Sequence, residues 1–379
     1  MSELSNAGRN ERDFRQLLFG TVSIVALTVS SVVAAAEDDT GQPLVWIELG
    51  GQIERIDNSQ TIFAPPFFET ARPGVVAPLE GAQKQPLYSL GEEGKITFEP
   101  RGSSWSFSAS ARYGRANLAK HLHYQTAHLT YQTFAGFPVT ETGRPVVRFS
   151  DGQNKVSDSH LLLDFMAGKD VGLGMFGSRG TSIVSAGVRF AQFTSSSRAT
   201  MHARPMYRSG ANVGTPGHLS IHSVYFKSNT AFIQARRGVT AIGPALSWDA
   251  SMPFAGNGSS ATLAFDWGVN AAILFGRQRA RVHHQTTGKT LYDYPGGFYP
   301  SKIGGYTNKP ADQNRARNVT IPNVGGFAGI SFRYLNAKVK FGYRADFFFG
   351  AMDGGIDTAK KENVGLYGPF ATVSVGIGG

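Results

Sequence analysis

From Leu263 to Phe275 every odd-numbered residue is apolar, in the order Leu, Phe, Trp, Val, Ala, Ile, Phe. The even positions Thr262, Asp266, Gly268, Asn270 and Gly276 are polar or small. A strict period of two puts these sets on opposite faces of a β-strand. The run is as long as a tilted transmembrane strand needs to be, about 9–11 residues. The pattern returns at Val339, Phe341, Tyr343, Ala345, Phe347 and Phe349, interleaved with Lys338, Lys340, Gly342, Arg344 and Asp346. Charges on one face and aromatics on the other predict a wall between lipid and water.

Ten segments alternate in this way, at least in part: Leu44–Ile56, Tyr88–Glu99, Ser104–Ala116, Ser159–Gly172, Thr181–Ser195, Ala231–Met252, Ala261–His283, Pro322–Tyr334, Ala337–Ala351 and Leu366–Ile377. Gly238, Gly243 and Pro244 interrupt the sixth. Pro100–Ser103, Gly174–Gly180, Pro253–Ser260 and Leu335–Asn336 are short connections, alternating with long segments at 57–87, 117–158, 196–230, 284–321 and 352–365. Short periplasmic turns, long extracellular loops and an even strand count are the marks of a transmembrane barrel. The prediction is an all-β, antiparallel, up-and-down barrel of about ten strands. A further pair within Leu219–Lys227 would keep the range at eight to fourteen. A secreted β-sandwich or lectin-like domain would bury the same alternating strands and is the soluble alternative.

The continuous apolar segment Leu17–Val33 follows Arg9, Arg12 and Arg15 and precedes Ala34-Ala35-Ala36. That order predicts a secretory signal peptide over residues 1–36, leaving 37–379 as the barrel domain. Gly20, Ser23, Thr28, Ser30 and Ser31 make it a poor anchoring helix. With 46 Gly, 12% aromatic and 17% charged residues, the composition opposes disorder and a helix-rich enzyme. Absence of cysteine removes disulfides, thiolate metal sites and Cys nucleophiles. The net charge of +10 belongs to the mature region, because the three Arg of residues 1–36 are offset by Glu3, Glu11 and Asp13. No basic helix or nucleic-acid motif accompanies it, so lipopolysaccharide phosphates or permeating anions are the expected partners.

Motifs for catalysis are weak. Gly172-Leu173-Gly174-Met175-Phe176-Gly177 matches a dinucleotide fingerprint, but a strand-like run from Thr181 follows where a helix is required. His121, His123 and His128 share one long segment, and His283-His284 opens another; no carboxylate cluster in the sequence joins them as metal ligands. Asp353 and Asp357 are candidate water-activating groups for an outer-membrane hydrolase, although Asp353 before Gly354-Gly355 equally suits a tight loop. Neither a metal nor a cofactor is expected.

The inward face carries more information. Alternation turns Arg112, Arg189, Arg333, Lys340 and Arg344 inward with Glu48, Glu54, Asp164, Asp249, Asp266 and Asp346, because ionisable groups face lipid only at high cost. Two readings follow: a constriction that filters solutes by size and charge, or ion pairs that plug a narrow bore. Arg198, Arg204, Arg208 and Lys227 fall in the third long segment, and Lys289, Lys302, Lys309, Arg315 and Arg317 in the fourth, where they are candidates for lipopolysaccharide contact.

Several segments resemble the Legionella-type major outer membrane protein family. They are His160–Gly174 (HLLLDFMAGKDVGLG) running into Ser185–Phe193 (SAGVRFAQF), Phe341–Asp357 (FGYRADFFFGAMDGGID), Leu366–Phe370 (LYGPF), Gly243-Pro244 and Asn270–Gln278 (NAAILFGRQ). The resemblance implies a pore-forming outer-membrane barrel, supplies no catalytic residues, and supports lumen placement of Arg344 and Asp346. The terminal Gly378-Gly379 departs from the aromatic ending common in such barrels. Together these readings predict passive diffusion of small hydrophilic solutes with a preference for anions. The alternatives are a closed structural or adhesive surface barrel and, third, an outer-membrane hydrolase. The expected partners are outer-membrane lipids, lipopolysaccharide, small solutes and the barrel-assembly machinery, with oligomers left open.

Overall fold

The computed structural model describes residues 44–58, 87–128, 133–134, 137–138, 146–172, 180–213, 219–257, 261–293, 302–308, 312–354 and 360–378. All thirteen elements are strands: β1 (Val45–Asn58), β2 (Leu87–Phe98), β3 (Trp105–His128), β4 (Thr133–Phe134), β5 (Phe137–Pro138), β6 (Val146–Asp170), β7 (Thr181–Val213), β8 (Leu219–Asn257), β9 (Ala261–Asp293), β10 (Lys302–Asn308), β11 (Gln313–Tyr334), β12 (Ala337–Asp353) and β13 (Lys361–Ile377). β4 and β5 form a separate two-stranded hairpin. β10 pairs only with the upper part of β9, Thr286–Tyr292. The other ten strands run as an antiparallel meander that closes through β8 pairing with β9 and β1 with β13. The chain is a closed ten-stranded up-and-down barrel, and the ten alternating segments each fall on one of its staves.

Period two decides what each stave exposes. On β9, Leu263, Phe265, Val269, Ile273 and Phe275 are exposed, while Ala264, Asp266, Ala272 and Leu274 are buried. Phe341, Tyr343, Phe347 and Phe349 on β12, Ile330 and Phe332 on β11, and Leu49 and Ile53 on β1 continue the exposed set around the wall. Such a band suits the apolar height of roughly 25 Å that a transmembrane barrel presents to lipid. A Val269→Arg substitution at mid-belt is expected to cost about 2–4 kcal/mol. A denaturant titration of the barrel refolded in lipid vesicles checks this, with Val269→Ala as the reference.

Connections at the end holding the start of β1 and the end of β13 are short. The β11–β12 turn is the tightest, Leu335-Asn336, with Leu335 at φ 51° and Gly376 N–H donating to the Asn336 carbonyl at 2.7 Å. At the other end the staves outrun the predicted segments: β7 continues to Val213, β8 begins at Leu219 and β9 reaches Asp293. Much of what reads as long loop is therefore strand. Above Phe275 the outward positions of β9 turn to Arg277, Arg279 and Arg281 while Ala280 and Val282 face inward, so the apolar-outward pattern stops although hydrogen-bonded pairing continues. Leu219–Lys227 holds no extra pair; it is the upper part of β8, aligned with β7 from Met206 to Val213. The predicted signal segment lies outside the described residues.

Candidate functional site

The bore gathers ionisable side chains, and residues from non-adjacent staves meet across it. Arg112 on β3 donates to Asp346 on β12 at 2.6 Å, with side-chain exposures of 10% and 3%. Arg344 on β12 donates to Glu93 on β2 at 2.5 Å. Arg189 on β7 makes a forked pair with Asp164 of β6 (2.7 and 2.9 Å) and reaches Asn270 of β9 at 2.7 Å and Asn323 of β11. Forked arginine–carboxylate geometry is the strongest form of this contact. His160 of β6 lies 3.3 Å from Glu54 of β1, both side chains almost wholly buried. Gln52 donates to the Gly368 carbonyl at 3.2 Å.

Glycine makes this crowding feasible. A Cβ at Gly325 would collide with Asp346 Oδ1, and one at Gly114 with Glu54 Oε1 and His160 Cε1. The missing side chains are the space the charged ones occupy.

Above this polar layer, toward the long-stave end, the bore is apolar. Phe348, Leu274, Ile321 and Leu366 are at most 1% exposed and pack with Leu162, Phe193 and Val239. Phe193 on β7 and Phe348 on β12 meet edge-to-face with centroids 4.8 Å apart. Higher still, Arg237 on β8 donates to Glu362 at 2.5 Å and to the Asp353 carbonyl at 2.9 Å. Arg315 Nε donates to Asp353 at 2.9 Å, and Arg317 donates to Gln278 at 2.7 Å. Below the ionic layer, Asp266 accepts from Lys338 at 2.7 Å and from Ser251 at 2.6 Å, with Lys340 at 3.9 Å. Lys340 Nζ also sits 5.1 Å from the Phe327 ring. Polar, apolar and polar layers of inward side chains thus succeed one another along the bore among the described residues.

The eight residues expected to line a pore fall as follows. Arg112, Arg189, Arg344, Asp346 and Asp164 come together in the central ionic layer. Lys340 and Asp266 lie below it. Arg333 stands apart: it is exposed at the short-turn mouth, its guanidinium 5.1 Å over the Trp46 ring and its Nε donating to the Leu335 carbonyl. Sequence reasoning did not single out Glu93, Asn270, Asn323, Arg237 or Glu362. Parity carried the signal for Glu93, one residue out of phase with exposed Leu90 and Ile96. The same parity marks Asn323, out of phase with exposed Val324 and Ile330.

Other candidates are placed differently from expectation. Arg315 and Arg317 turn into the bore rather than toward lipopolysaccharide. The side chains of Arg204, Arg208, Lys227, Lys289 and Lys302, and the whole of Lys309, lie outside what is described, as does Asp357. His121 and His123 sit on β3, not in a loop, facing Asp151 of β6, with His123 Nδ1 3.8 Å from its carboxylate. His283 pairs with Asp312 at 2.6 Å. Hydrogen bonds from Arg281 and His283 hold the Asp312 carboxyl below the usual aspartate range. Among the described residues no group of three His, Asp or Glu side chains could hold a metal. Asp353 is buried and accepts a hydrogen bond from Arg315. Gly172, at φ 55°, ends the strand pair in a turn, and strand β7 follows where a nucleotide fold needs a helix.

No protein-family model and no curated protein matches the chain. Solved structures give distant likenesses. The transport unit of the autotransporter AIDA-I from Escherichia coli is 6% identical, with 94% of this chain and 97% of that chain covered, at a TM-score of 0.23. The translocator domain of the autotransporter NalP from Neisseria meningitidis is 8% identical, covering 95% and 97%, at 0.21. A deletion mutant of the TodX monoaromatic hydrocarbon channel is 10% identical, covering 89% and 91%, at 0.21. Likeness at this level carries no argument about this chain's activity.

Proposed function

We propose that this chain is an outer-membrane barrel whose bore is closed at rest, and that it serves the envelope as a structural or adhesive surface barrel. The observation that carries this reading is the Phe193–Phe348–Leu274–Ile321 layer, at most 3% exposed, stacked directly on the Arg112–Asp346 and Arg189–Asp164 pairs. A solvated passage through that level would leave these side chains wetted. The apolar belt, the closed meander and the expected signal segment support the outer-membrane address.

Passive diffusion of small hydrophilic solutes is the second reading. It is favoured by the make-up of the plug, which among the described residues consists of side chains, and by the partly exposed Lys338 and Lys340 below it. On this reading the ion pairs would part to admit a solute, and the cations would bias passage toward anions.

Single-channel recording in a planar bilayer, with a salt gradient to read ion preference, separates the two. Protein shown by heat-modifiable gel mobility to be folded is expected to be silent. Discrete, reproducible conductance steps from the unaltered chain would overturn the closed reading and establish the pore.

A further inference from the structure

The outer wall carries a second concentration of charge, separate from the bore. On β9 the outward series runs Val269, Ala271, Ile273, Phe275 and then, with no break in parity, Arg277, Arg279 and Arg281, all exposed. The apolar belt ends at Phe275 and three arginines stand immediately above it. Alternate residues on a strand are about 7 Å apart and neighbouring strands about 5 Å, so the next stave contributes to the same surface. There the outward series is Leu246, Pro244, Ile242, Thr240, Gly238 and Arg236. Register sets Arg236 beside Arg281, Gly238 beside Arg279 and Thr240 beside Arg277. Arg198 of β7 is exposed on the same side, its guanidinium 5.0 Å over the Phe232 ring of β8. On the opposite flank β11 offers Asn314 beside Arg281 and Asn318 beside Arg277.

Like charges placed in direct register repel, and nothing in the closure of a barrel requires them. Among the described residues Arg281 is held by Asp312, while Arg236, Arg277 and Arg279 have no acidic partner. All four are arginines, whose planar guanidinium takes phosphate oxygens two at a time. Gly238 leaves a shallow notch between Arg236 and Thr240, against Arg279. Just below lie Ile242, Ile273 and Phe275, each more than half exposed, which acyl chains would cover.

We infer that Arg236, Arg277, Arg279 and Arg281 form a docking site for the phosphorylated headgroup of an outer-leaflet glycolipid, with its acyl chains against Ile242, Ile273 and Phe275. The level decides the leaflet. β9 starts at the short-turn end, periplasmic in a transmembrane barrel, and rises past Phe275 to reach the arginines, which puts them at the outer headgroups. This inference rests on the outer-membrane reading but not on whether the bore is closed.

The test refolds the full barrel in phosphatidylethanolamine vesicles doped with diphosphorylated lipid A, with the same lipid A stripped of its phosphates, or with phosphatidylglycerol. Lipid retained through detergent extraction is then counted by native mass spectrometry. The unaltered chain is expected to keep diphosphorylated lipid A at least tenfold better than either other lipid. Arg236→Gln/Arg277→Gln/Arg279→Gln should lose that preference, and Lys169→Gln near the short-turn end should keep it. Equal retention of phosphorylated and stripped lipid A overturns the inference. So does phosphatidylglycerol retained as well as lipid A, or a triple variant that binds like the unaltered chain. Heat-modifiable mobility of every sample shows whether the barrel is intact, so a failure of the fold is read separately from a failure of the site.

Discussion

Asp346→Ala is expected to lower the stability of the refolded barrel by about 3–5 kcal/mol, the range for breaking a buried ion pair from one side. Asp346 accepts from Arg112 at 2.6 Å and from Asn270 at 3.4 Å, in a layer with Arg189 and Arg344 close by. Removing the carboxylate takes from the buried Arg112 guanidinium its hydrogen-bonded anion and leaves only the more distant Glu93 and Glu54 to balance it. The cost comes from that poorly compensated charge, not from the net worth of the pair, which desolvation largely cancels. The double replacement Arg112→Met/Asp346→Leu should therefore recover most of the loss. Urea unfolding of the two variants beside the unaltered chain reads both effects. A single variant as stable as the parent would mean that Arg112 is balanced without Asp346, by Glu93 and Glu54 or by water.

Phe348→Ala is expected to cost about 3–5 kcal/mol as well, through a cavity instead of a charge. Phe348 is wholly buried, packs edge-to-face on Phe193 and lies in the same layer as Leu274 and Ile321. Phe348 sits where the β11–β12 ladder ends and the β12–β13 register shifts, but the ladders below it hold the staves apart, so the ring's space is not fully taken up by its neighbours. The lost ring therefore becomes empty or wetted volume. Because this layer stands above the ionic one, Phe193→Ala/Phe348→Ala combined with Arg112→Met/Asp346→Leu should turn a silent barrel into a conducting one. Phe347→Ala, which removes an exposed belt ring one residue away, should leave the bilayer silent. Conductance after the outward change alone would place the seal elsewhere.

The staves and their faces were legible in sequence because their cause is local. A strand turns successive side chains to opposite sides, so Phe341, Tyr343 and Phe347 outward commit Lys340, Arg344 and Asp346 inward whatever the rest of the chain does. Ten segments, short turns at one end and an even count followed from the same regularity. Legibility stopped where that cause stopped. Above the belt the outward positions no longer carry large apolar residues, so the upper parts of β7, β8 and β9 read as loop, and Arg315 and Arg317 read as surface charges.

Partners across the bore and neighbours around the wall belong to the closed barrel alone. That Arg112 meets Asp346, that Arg344 meets Glu93, and that Phe193 meets Phe348 depend on how many staves close the ring and how far each is staggered against the next. No local pattern records either quantity. The same holds for the outer arginines: sequence places Arg277, Arg279 and Arg281 on one face of β9, but only the β8–β9 register puts Arg236 beside them. Sequence by itself determined which residues face lipid and which face the interior, since that is fixed by period two. Tertiary closure decided which inward side chains pack and pair across the bore, because circumference and stagger set what lies opposite each of them.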